Sequence, residues 1–503
     1  MGKEEDVCGP VDASLGKPRV YFLIPELGES KMEARYEMLV NGKMTGGSRA
    51  LDVVDPATAE VFATCACASR EEVEVAVTAA SAAFPAWSAT SLDERRAVLI
   101  QMAEAIETNL ASLARTLTSE QGKPIGDAQG EVGGAAYFLR YYAGLEMPVE
   151  TIEDSDARRI ELHRRPLGVV AAIVPWNFPV LTAVNKIGAA LLTGNTVVVK
   201  PAATTPLATL QFAALIKDIV PAGVVNIVTD NNDLGNVLTG HPLVRKVSFT
   251  GSTNTGMKVM SAGSATLKRM TLELGGNDSG IVLDDCDPDV VSQQLFDSAF
   301  ANNGQVCIAL KRLYVHDSQY DAICDKLAEI AKAAIVGPGL QQGTQLGPVQ
   351  NRMQFDKLKS LIEETKEDGN IIAGGDSPDG PGYFINPTIV RDIADNARLV
   401  TDEQFGPVLP VMRYADVGDV IARANNTSYG LGNSVWSSSI EKASAVASQL
   451  DSGSVWINKH GDIGPDTPFA GAKMSGVGIE MGMHGLLEFT QAKVVNYAKT
   501  ANV

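Results

Sequence analysis

Two stretches decide the fold: Gly168-Val-Val-Ala-Ala-Ile-Val-Pro-Trp-Asn-Phe-Pro179 and Gly194-Asn-Thr-Val-Val-Val-Lys-Pro201. Each carries a short, unbroken apolar run that ends at a proline. Runs of this length without alternation read as strands buried on both faces, the kind found in parallel sheets. The pattern predicts strands over Val169–Val174 and Thr196–Lys200, with a helix over Val184–Leu192 between them. Downstream it predicts a helix over Leu207–Val220, a strand over Val224–Val228, a helix over Leu234–Leu238 and a strand over Lys246–Thr250. This βαβα rhythm implies an α/β fold with helices on the faces of a parallel sheet.

The rhythm restarts after Leu274, with strands expected over Gly280–Leu283 and Leu313–Val315 and a second helical series. Two α/β blocks follow, with a border near Gly275–Gly276: one over 36–150 and 167–275, the other over 276–480. Upstream, Leu39-Val-Asn-Gly-Lys reads as a hairpin and Asp55-Pro-Ala-Thr as a turn. Ser69 with Glu72 three residues on forms a capping-box signature, and helical text continues through Asp93–Leu117 and Gly130–Ala143. Thr151–Pro166 is polar on both faces around Asp154–Asp156, which suits a hairpin that projects or pairs across an interface. Residues 1–35 mix glycine, proline and charge without periodicity and read as a surface or disordered extension.

A chain of 503 residues exceeds what one hydrophobic core usually supports. The formal net charge of −18 repels nucleic acid and anionic lipid, so neither is an expected partner. Six cysteines (Cys8, Cys65, Cys67, Cys286, Cys307 and Cys324) in so long a chain make no disulfide framework. Five histidines without metal-ligand spacing argue against a metal enzyme. No basic segment leads into an apolar one at the N-terminus, Asp6 replaces the Ser or Thr expected with a myristoylated Gly2, and no apolar run approaches a membrane span. A cytoplasmic location is the expectation.

Four segments carry candidate chemistry. In Asn302-Asn-Gly-Gln-Val-Cys307, polar text with a glycine suits a loop leading into a helix whose N–H groups would face a thiolate. Locally, though, a lone cysteine is more often a buried structural residue. Thr271-Leu-Glu-Leu-Gly-Gly-Asn277 sets Glu273 in an apolar run, where a carboxyl has a raised pKa suited to a general base; the alternative is a strand-edge glutamate facing water. Val174-Pro-Trp-Asn-Phe-Pro179 follows a strand, where open α/β sheets bind ligands, and Asn177 offers an amide N–H to an oxyanion. A rigid aromatic turn explains its prolines but not the amide. Ser248-Phe-Thr-Gly-Ser-Thr-Asn-Thr-Gly256 passes from strand to helix, and Gly251 and Gly256 would let backbone approach a pyrophosphate, with the Lys200 cation nearby.

Pro-Trp-Asn-Phe-Pro, Gly-Asn-Thr-Val-Val-Val-Lys-Pro, Phe-Thr-Gly-Ser-Thr, Leu-Glu-Leu-Gly-Gly, Gly-Gln-Val-Cys, Glu-Gln-Phe-Gly-Pro-Val and Pro-Phe-Ala-Gly-x-Lys-x-Ser-Gly occur in one order between Pro175 and Gly476, within a match that runs from about Leu39 to Tyr497. In this the chain resembles the aldehyde dehydrogenase superfamily. The resemblance implies a Rossmann-like cofactor domain, a second α/β catalytic domain and a β oligomerisation arm over 151–166 and 481–503, giving a homodimer or homotetramer. It implies NAD or NADP as cofactor and an aldehyde as substrate. It makes Cys307 the nucleophile, Glu273 the general base, Asn177 with the Cys307 N–H the oxyanion donors, and Lys186 a member of the active-site network. Coenzyme contacts would come from Val174, Trp176, Lys200, Ala203, Gly251, Ser252, Thr255, Leu274, Glu403 and Phe405. Phe178, Leu181, Thr182, Val306, Ile308 and Phe469 would line the substrate channel, which favours a neutral aliphatic or aromatic aldehyde over a dicarboxylic semialdehyde. Glu480 matches a carboxylate assigned to proton relay.

Three positions depart from the family pattern. Ala203 replaces a glutamate common in NAD-preferring members, which leaves the choice between NAD and NADP open. Asn185 replaces a frequent tryptophan before Lys186, and Ile479 replaces a frequent arginine before Glu480. The implied chemistry is attack by Cys307, oxidation to a thioester, and release of the acid by water activated at Glu273. A coenzyme A-acylating dehydrogenase is the nearest rival, but Glu273 would have little use there. A non-catalytic scaffold on the same fold is the other, and the intact Cys307, Glu273 and Asn177 argue against it.

Overall fold

The computed structural model describes residues 36–499, so the extension expected over residues 1–35 and the last four residues of the expected arm lie outside the described residues. The runs that opened the sequence reading form Val169–Ile173 and Thr196–Lys200, every residue of both buried. They pair in parallel at the centre of an eight-stranded sheet. On one side Val225–Ile227 pairs with Thr196–Lys200; on the other Val244–Thr250 pairs with Val169–Ile173 and with Arg269–Glu273, all parallel. The chain therefore builds outward from Val169–Ile173 in one direction and then returns to build in the other. That reversal opens a crevice at the carboxyl ends of Val169–Ile173 and Val244–Thr250, the place where α/β sheets bind ligands.

The second sheet has seven strands and starts at Asp278–Val282, directly after the first sheet's Arg269–Glu273. Asp278–Val282 pairs in parallel with Leu310–His316 and Gly432–Trp436, and the sheet extends through Val408–Tyr414 and Thr388–Arg391 on one flank and Ser454–Ile457 on the other. Gly276 makes the tight join possible. A Cβ there would lie 2.5 Å from the Cys307 carbonyl oxygen, closer than any side chain tolerates. Late in the chain, Gly476–Val477 returns to pair antiparallel with Arg269–Glu273, although the sequence reading grouped it with the second block.

The third sheet joins Glu150–Asp154, Arg158–Pro166 and Thr490–Ala498, with Thr490 opposite Pro166 and Ala498 opposite Arg158. The hairpin turns at Ser155–Ala157, between the two strands, one residue later than the sequence reading placed it. Residues 481–489, assigned to the arm, instead include the short helix Gly482–Leu487, and Leu486 and Phe489 are buried in the core of the first block. Their apolar side chains gain more from that core than from a projecting sheet.

Local rules place most helices. Ser69 accepts from the Glu72 N–H while Glu72 accepts from the Ser69 N–H, starting Arg70–Ser88 with a complete capping box worth about 1 kcal/mol. The helix expected over 184–192 begins earlier, at Pro179, whose missing N–H costs nothing in a first turn. The one expected over 93–117 is two helices, Leu92–Thr108 and Leu110–Gln121, broken at Asn109, where the side-chain amide donates to the Ala105 carbonyl at 2.8 Å. The one expected over 207–220 stops at Ile216.

Candidate active site

Strand ends from both sheets converge on one cavity of about 1500 Å³. Cys307, Glu273 and Asn177 all line it, although 34 and 130 residues of chain separate Cys307 from the other two. Of the expected coenzyme contacts, Val174, Trp176, Lys200, Ala203, Gly251, Ser252, Thr255, Leu274, Glu403 and Phe405 line the same cavity, as do Phe178, Leu181, Thr182, Val306, Ile308 and Phe469 of the expected substrate channel. Lys186 does not line it. It is buried behind the wall, where its ammonium donates to Ser248 Oγ at 2.9 Å and pairs with Glu480, which does face the cavity.

Cys307 sits in a turn between Ala301–Gly304 and the strand Leu310–His316, not before a helix as its local sequence suggested. Asn302, Asn303 and Gly304 are all left-handed, with φ of 48°, 58° and 72°, residues that tolerate this region better than others. Side chains from elsewhere hold the carbonyls that follow. Asn177 Nδ2 donates to the Gln305 oxygen at 2.8 Å, and Lys311 Nζ donates to the Val306 and Cys307 oxygens at 2.8 and 2.6 Å. His460 Nε2 lies 2.7 Å from the Ile308 oxygen, and a carbonyl can only accept, so this nitrogen carries the proton. His460 Nδ1 then accepts from the Ser434 hydroxyl at 2.9 Å. Burial pushes the pKa of this imidazole down to about 4, so it is neutral near pH 7.

Asn177 is itself anchored. Its carbonyl accepts from Lys123 Nζ at 2.9 Å, and Lys123 pairs at 2.6 Å with Glu131 in full burial. Glu131 in turn accepts from the N–H groups of Val180 and Leu181 at the start of Pro179–Leu192, where a carboxylate also complements the helix dipole. One N–H of the Asn177 amide is committed to Gln305, which leaves the other for the cavity.

Burial raises the pKa of Glu273 well above the ordinary carboxyl range, and the charge of Glu480 adds to the rise. Burial does the same for Cys307, again with a neighbouring carboxylate, Glu273, as the next cause. Glu480 is held without the arginine that Ile479 replaces. It accepts from Lys186, from Ser248 Oγ at 3.2 Å and from Asn185 Nδ2 at 3.4 Å, while the Tyr142 hydroxyl donates to Asn185 Oδ1 at 2.6 Å. Asn185 thus fills a tryptophan's place with a hydrogen-bond bridge.

On the other side of the cavity, Ser252 caps Thr253–Ser264, the helix that follows Val244–Thr250. Gly251 lies against the Phe249 ring, which a Cβ would approach to 2.6 Å. Gly256 also lets the helix pack on the Glu273 loop, since a Cβ there would strike the Leu274 side chain at 2.4 Å. Glu403 accepts from the Gly276 N–H at 3.0 Å, and Trp176 meets Phe405 edge-on with ring centroids 5.3 Å apart. Lys200 pairs with buried Asp230 at 2.7 Å and donates to Asn232 Oδ1 at 3.3 Å.

The sequence reading missed Lys123, Glu131, Lys311 and His460. Lys311 left a trace, as one of two adjacent cations, with Arg312, at the start of a strand run four places after Cys307. The others sit in helical or loop text that looks solvent-facing.

A model of the aldehyde dehydrogenase family matches residues 44–495. The chain is 39% identical over 477 residues to phenylacetaldehyde dehydrogenase of Pseudomonas fluorescens, covering 91% of this chain and 95% of that protein. It is 37% identical over 467 residues to the NADP(+) succinate-semialdehyde dehydrogenase of Escherichia coli, covering 91% and 97%. The structure of an aldehyde dehydrogenase from Bacillus cereus in complex with NAD+ superimposes with a TM-score of 0.90 at 35% identity, covering 92% of this chain and 97% of that one.

Proposed function

This chain belongs to the aldehyde dehydrogenase family, and from that premise we propose that it oxidises a neutral, apolar aldehyde to the carboxylic acid through a thioester on Cys307. The reaction class, NAD(P)-dependent oxidation of an aldehyde, comes with the family. The particular reading rests on one observation: Cys307, Glu273 and Asn177 line a single cavity with the set of residues suited to a dinucleotide.

That set fits the coenzyme. The capped N-terminus of Thr253–Ser264 beside Gly251 suits a pyrophosphate, Glu403 suits ribose hydroxyls, and the Trp176–Phe405 pair suits a flat ring. When bound, the nicotinamide supplies the hydride acceptor. The protein supplies the rest. The Cys307 thiolate adds to the aldehyde carbonyl, and the resulting oxyanion is held by the free N–H of Asn177 and the Cys307 N–H. Loss of hydride leaves the acyl group on sulfur. Glu273 then takes a proton from water as the water attacks the thioester, and the acid leaves with Cys307 restored. Asn177→Ala should lower kcat by about 10²–10³-fold, the usual cost of one oxyanion donor, with little change in coenzyme binding, measured by steady-state rates and fluorescence titration.

The substrate reading rests on Phe178, Leu181, Val306, Ile308, Ile463 and Phe469, which line the cavity from segments that bring no lysine or arginine to it. Neutral His460 adds no charge there. Against that apolar set an anionic aldehyde would bury its carboxylate at a cost, and the cavity's Lys200, Lys258, Arg352 and Lys357 come from other segments. For the coenzyme, Ala203 does not repel a 2′-phosphate, but Asp230 already neutralises Lys200. Segments 200–204 and 232–236 bring no other lysine or arginine to the cavity among the described residues, and the cavity's Lys258 comes from the helix Thr253–Ser264. NAD is therefore preferred, by roughly tenfold or more in kcat/KM, since one unfavourable charge contact readily exceeds 1.4 kcal/mol.

The test is reduced-coenzyme absorbance with a panel of aldehydes, with NAD and NADP separately, with and without free coenzyme A. Phenyl- and alkyl-aldehydes should turn over without coenzyme A, succinate semialdehyde should lag, and Asp230→Ser should narrow the NAD preference. Turnover that requires coenzyme A would overturn the hydrolytic reading.

The third sheet exposes Ile152, Val494 and Tyr497, which supports its use as the arm of a homodimer or homotetramer. Among the described residues no helix is long and apolar enough to cross a membrane, and all five cysteines are unpaired. Free thiols suit a reducing compartment, and we place the protein in the cytoplasm.

A further inference from the structure

The turn that carries Cys307 is held less by backbone bonds than by side chains, and Lys311, four residues after Cys307, takes the largest share. Its side chain is 2% exposed, and its ammonium bonds two successive carbonyls, those of Val306 and Cys307. It also lies 4.0 Å from Glu403 Oε1 and 5.9 Å from the centre of the Phe405 ring. A lysine serving only as a solubilising surface charge would have none of these contacts. A buried ammonium is expensive unless several acceptors and negative charges surround it.

Two consequences follow from peptide geometry and Coulomb's law. In a planar trans peptide the N–H of the next residue points opposite to the carbonyl. Fixing the Val306 and Cys307 oxygens on Lys311 therefore turns the N–H groups of Cys307 and Ile308 away from it. The charges that face Cys307 are Glu273 from the end of Arg269–Glu273, Asp278 from the start of Asp278–Val282, Glu403 from the loop before Val408–Tyr414, and Lys311. Three of these disfavour a thiolate, and Lys311 alone among them favours it. Lys311 also counters the burial of Asp278 and Glu403.

We propose that Lys311 is a positioning residue for the nucleophile, which sets the orientation of the Cys307 turn through the Val306 and Cys307 carbonyls and, by holding its positive charge on the Cys307 carbonyl, favours the thiolate. The proposal rests on Cys307 being the nucleophile, and deepens that reading.

The experiment measures the rate of Cys307 alkylation by iodoacetamide against pH in the enzyme without aldehyde, with the label located by peptide mass spectrometry. The rate reports the thiolate fraction, and the other described cysteines are buried. Lys311→Met removes both bonds and charge; Lys311→Gln removes the charge but keeps an N–H donor; Lys311→Arg keeps the charge. Both neutral variants should shift the titration of Cys307 upward by about 1–3 pH units, the usual effect of a nearby opposite charge. Lys311→Arg should restore most of the shift. Should the methionine variant fail to fold, the glutamine variant still carries the comparison, with coenzyme binding as the check on its fold. A glutamine profile superimposable on that of the parent would overturn the proposal, as would an arginine variant that titrates like the neutral ones. Normal alkylation in a protein that oxidises no aldehyde would instead refute the proposed function and leave the role of Lys311 intact.

Discussion

Cys307→Ala is expected to abolish aldehyde oxidation, with a loss on the order of 10⁴–10⁶-fold in kcat, while coenzyme binding survives. The size follows from what the sulfur does: it forms the bond that turns one difficult oxidation into two easier steps, and no neighbour can replace it. Asn177, Glu273 and the coenzyme cradle remain in the variant, but they act on an intermediate that can no longer form. The check is twofold. A pre-steady-state mixing experiment should show no burst of reduced coenzyme, and a fluorescence titration should return a coenzyme affinity close to that of the parent. A variant that still oxidises aldehydes within about tenfold of the parent would remove Cys307 from the chemistry, because non-covalent hydride transfer would then suffice.

Glu273→Gln separates the two half-reactions. Glutamine keeps the shape of the side chain but cannot take a proton, so acylation proceeds and deacylation stalls. One equivalent of reduced coenzyme should appear in a burst, followed by a steady rate lower by about 10²–10⁴-fold, the range that a general base contributes. The pH profile carries a sign that tests the same assignment. The buried Glu273 carboxyl has a raised pKa, and only its deprotonated form activates water. Turnover should therefore fall as pH drops through that raised value, and the acid limb should lie above the ordinary carboxyl value of about 4.3. In Glu273→Gln the limb should vanish, leaving a slow and pH-independent deacylation. Retention of the limb would assign it to another group, with Asp278, whose pKa burial pushes up to about 7, as the next to test.

Side-chain contacts explain why the sequence carried so much of this site and where it stopped. Strand ends were readable because a buried strand must stop where polar or proline text begins, so Val174-Pro-Trp-Asn and Gly251-Ser fell at the correct ends of Val169–Ile173 and Val244–Thr250. The segment with Glu273 was readable because a single carboxylate in an apolar strand has few places to go. Cys307 was harder: the run Asn302-Asn-Gly suggested a helix start, but three left-handed residues instead fold it into a turn whose continuation is the strand Leu310–His316. Local text shows the need for an unusual backbone without showing which way it bends. Gly256 is a similar case, since glycine serves a phosphate or a close-packed neighbour equally well, and only the tertiary structure shows that Leu274 packs against it.

By itself, then, the sequence determined the α/β class, the central parallel strands and the capped helix at Ser69, and it singled out Cys307, Glu273 and Asn177 as candidates for the chemistry. Periodicity, burial and capping act within a few residues of chain. The tertiary structure alone decided what meets what. It brought Glu273 and Asn177 to one cavity with Cys307, set Lys186 behind Glu480, and returned Gly476–Val477 to the first sheet. It also closed Asn177 and His460 on the Gln305 and Ile308 carbonyls, on either side of the two that Lys311 takes from four and five residues on. A buried polar group must find a partner, but which one depends on segments up to 152 residues away, and no local pattern encodes that choice.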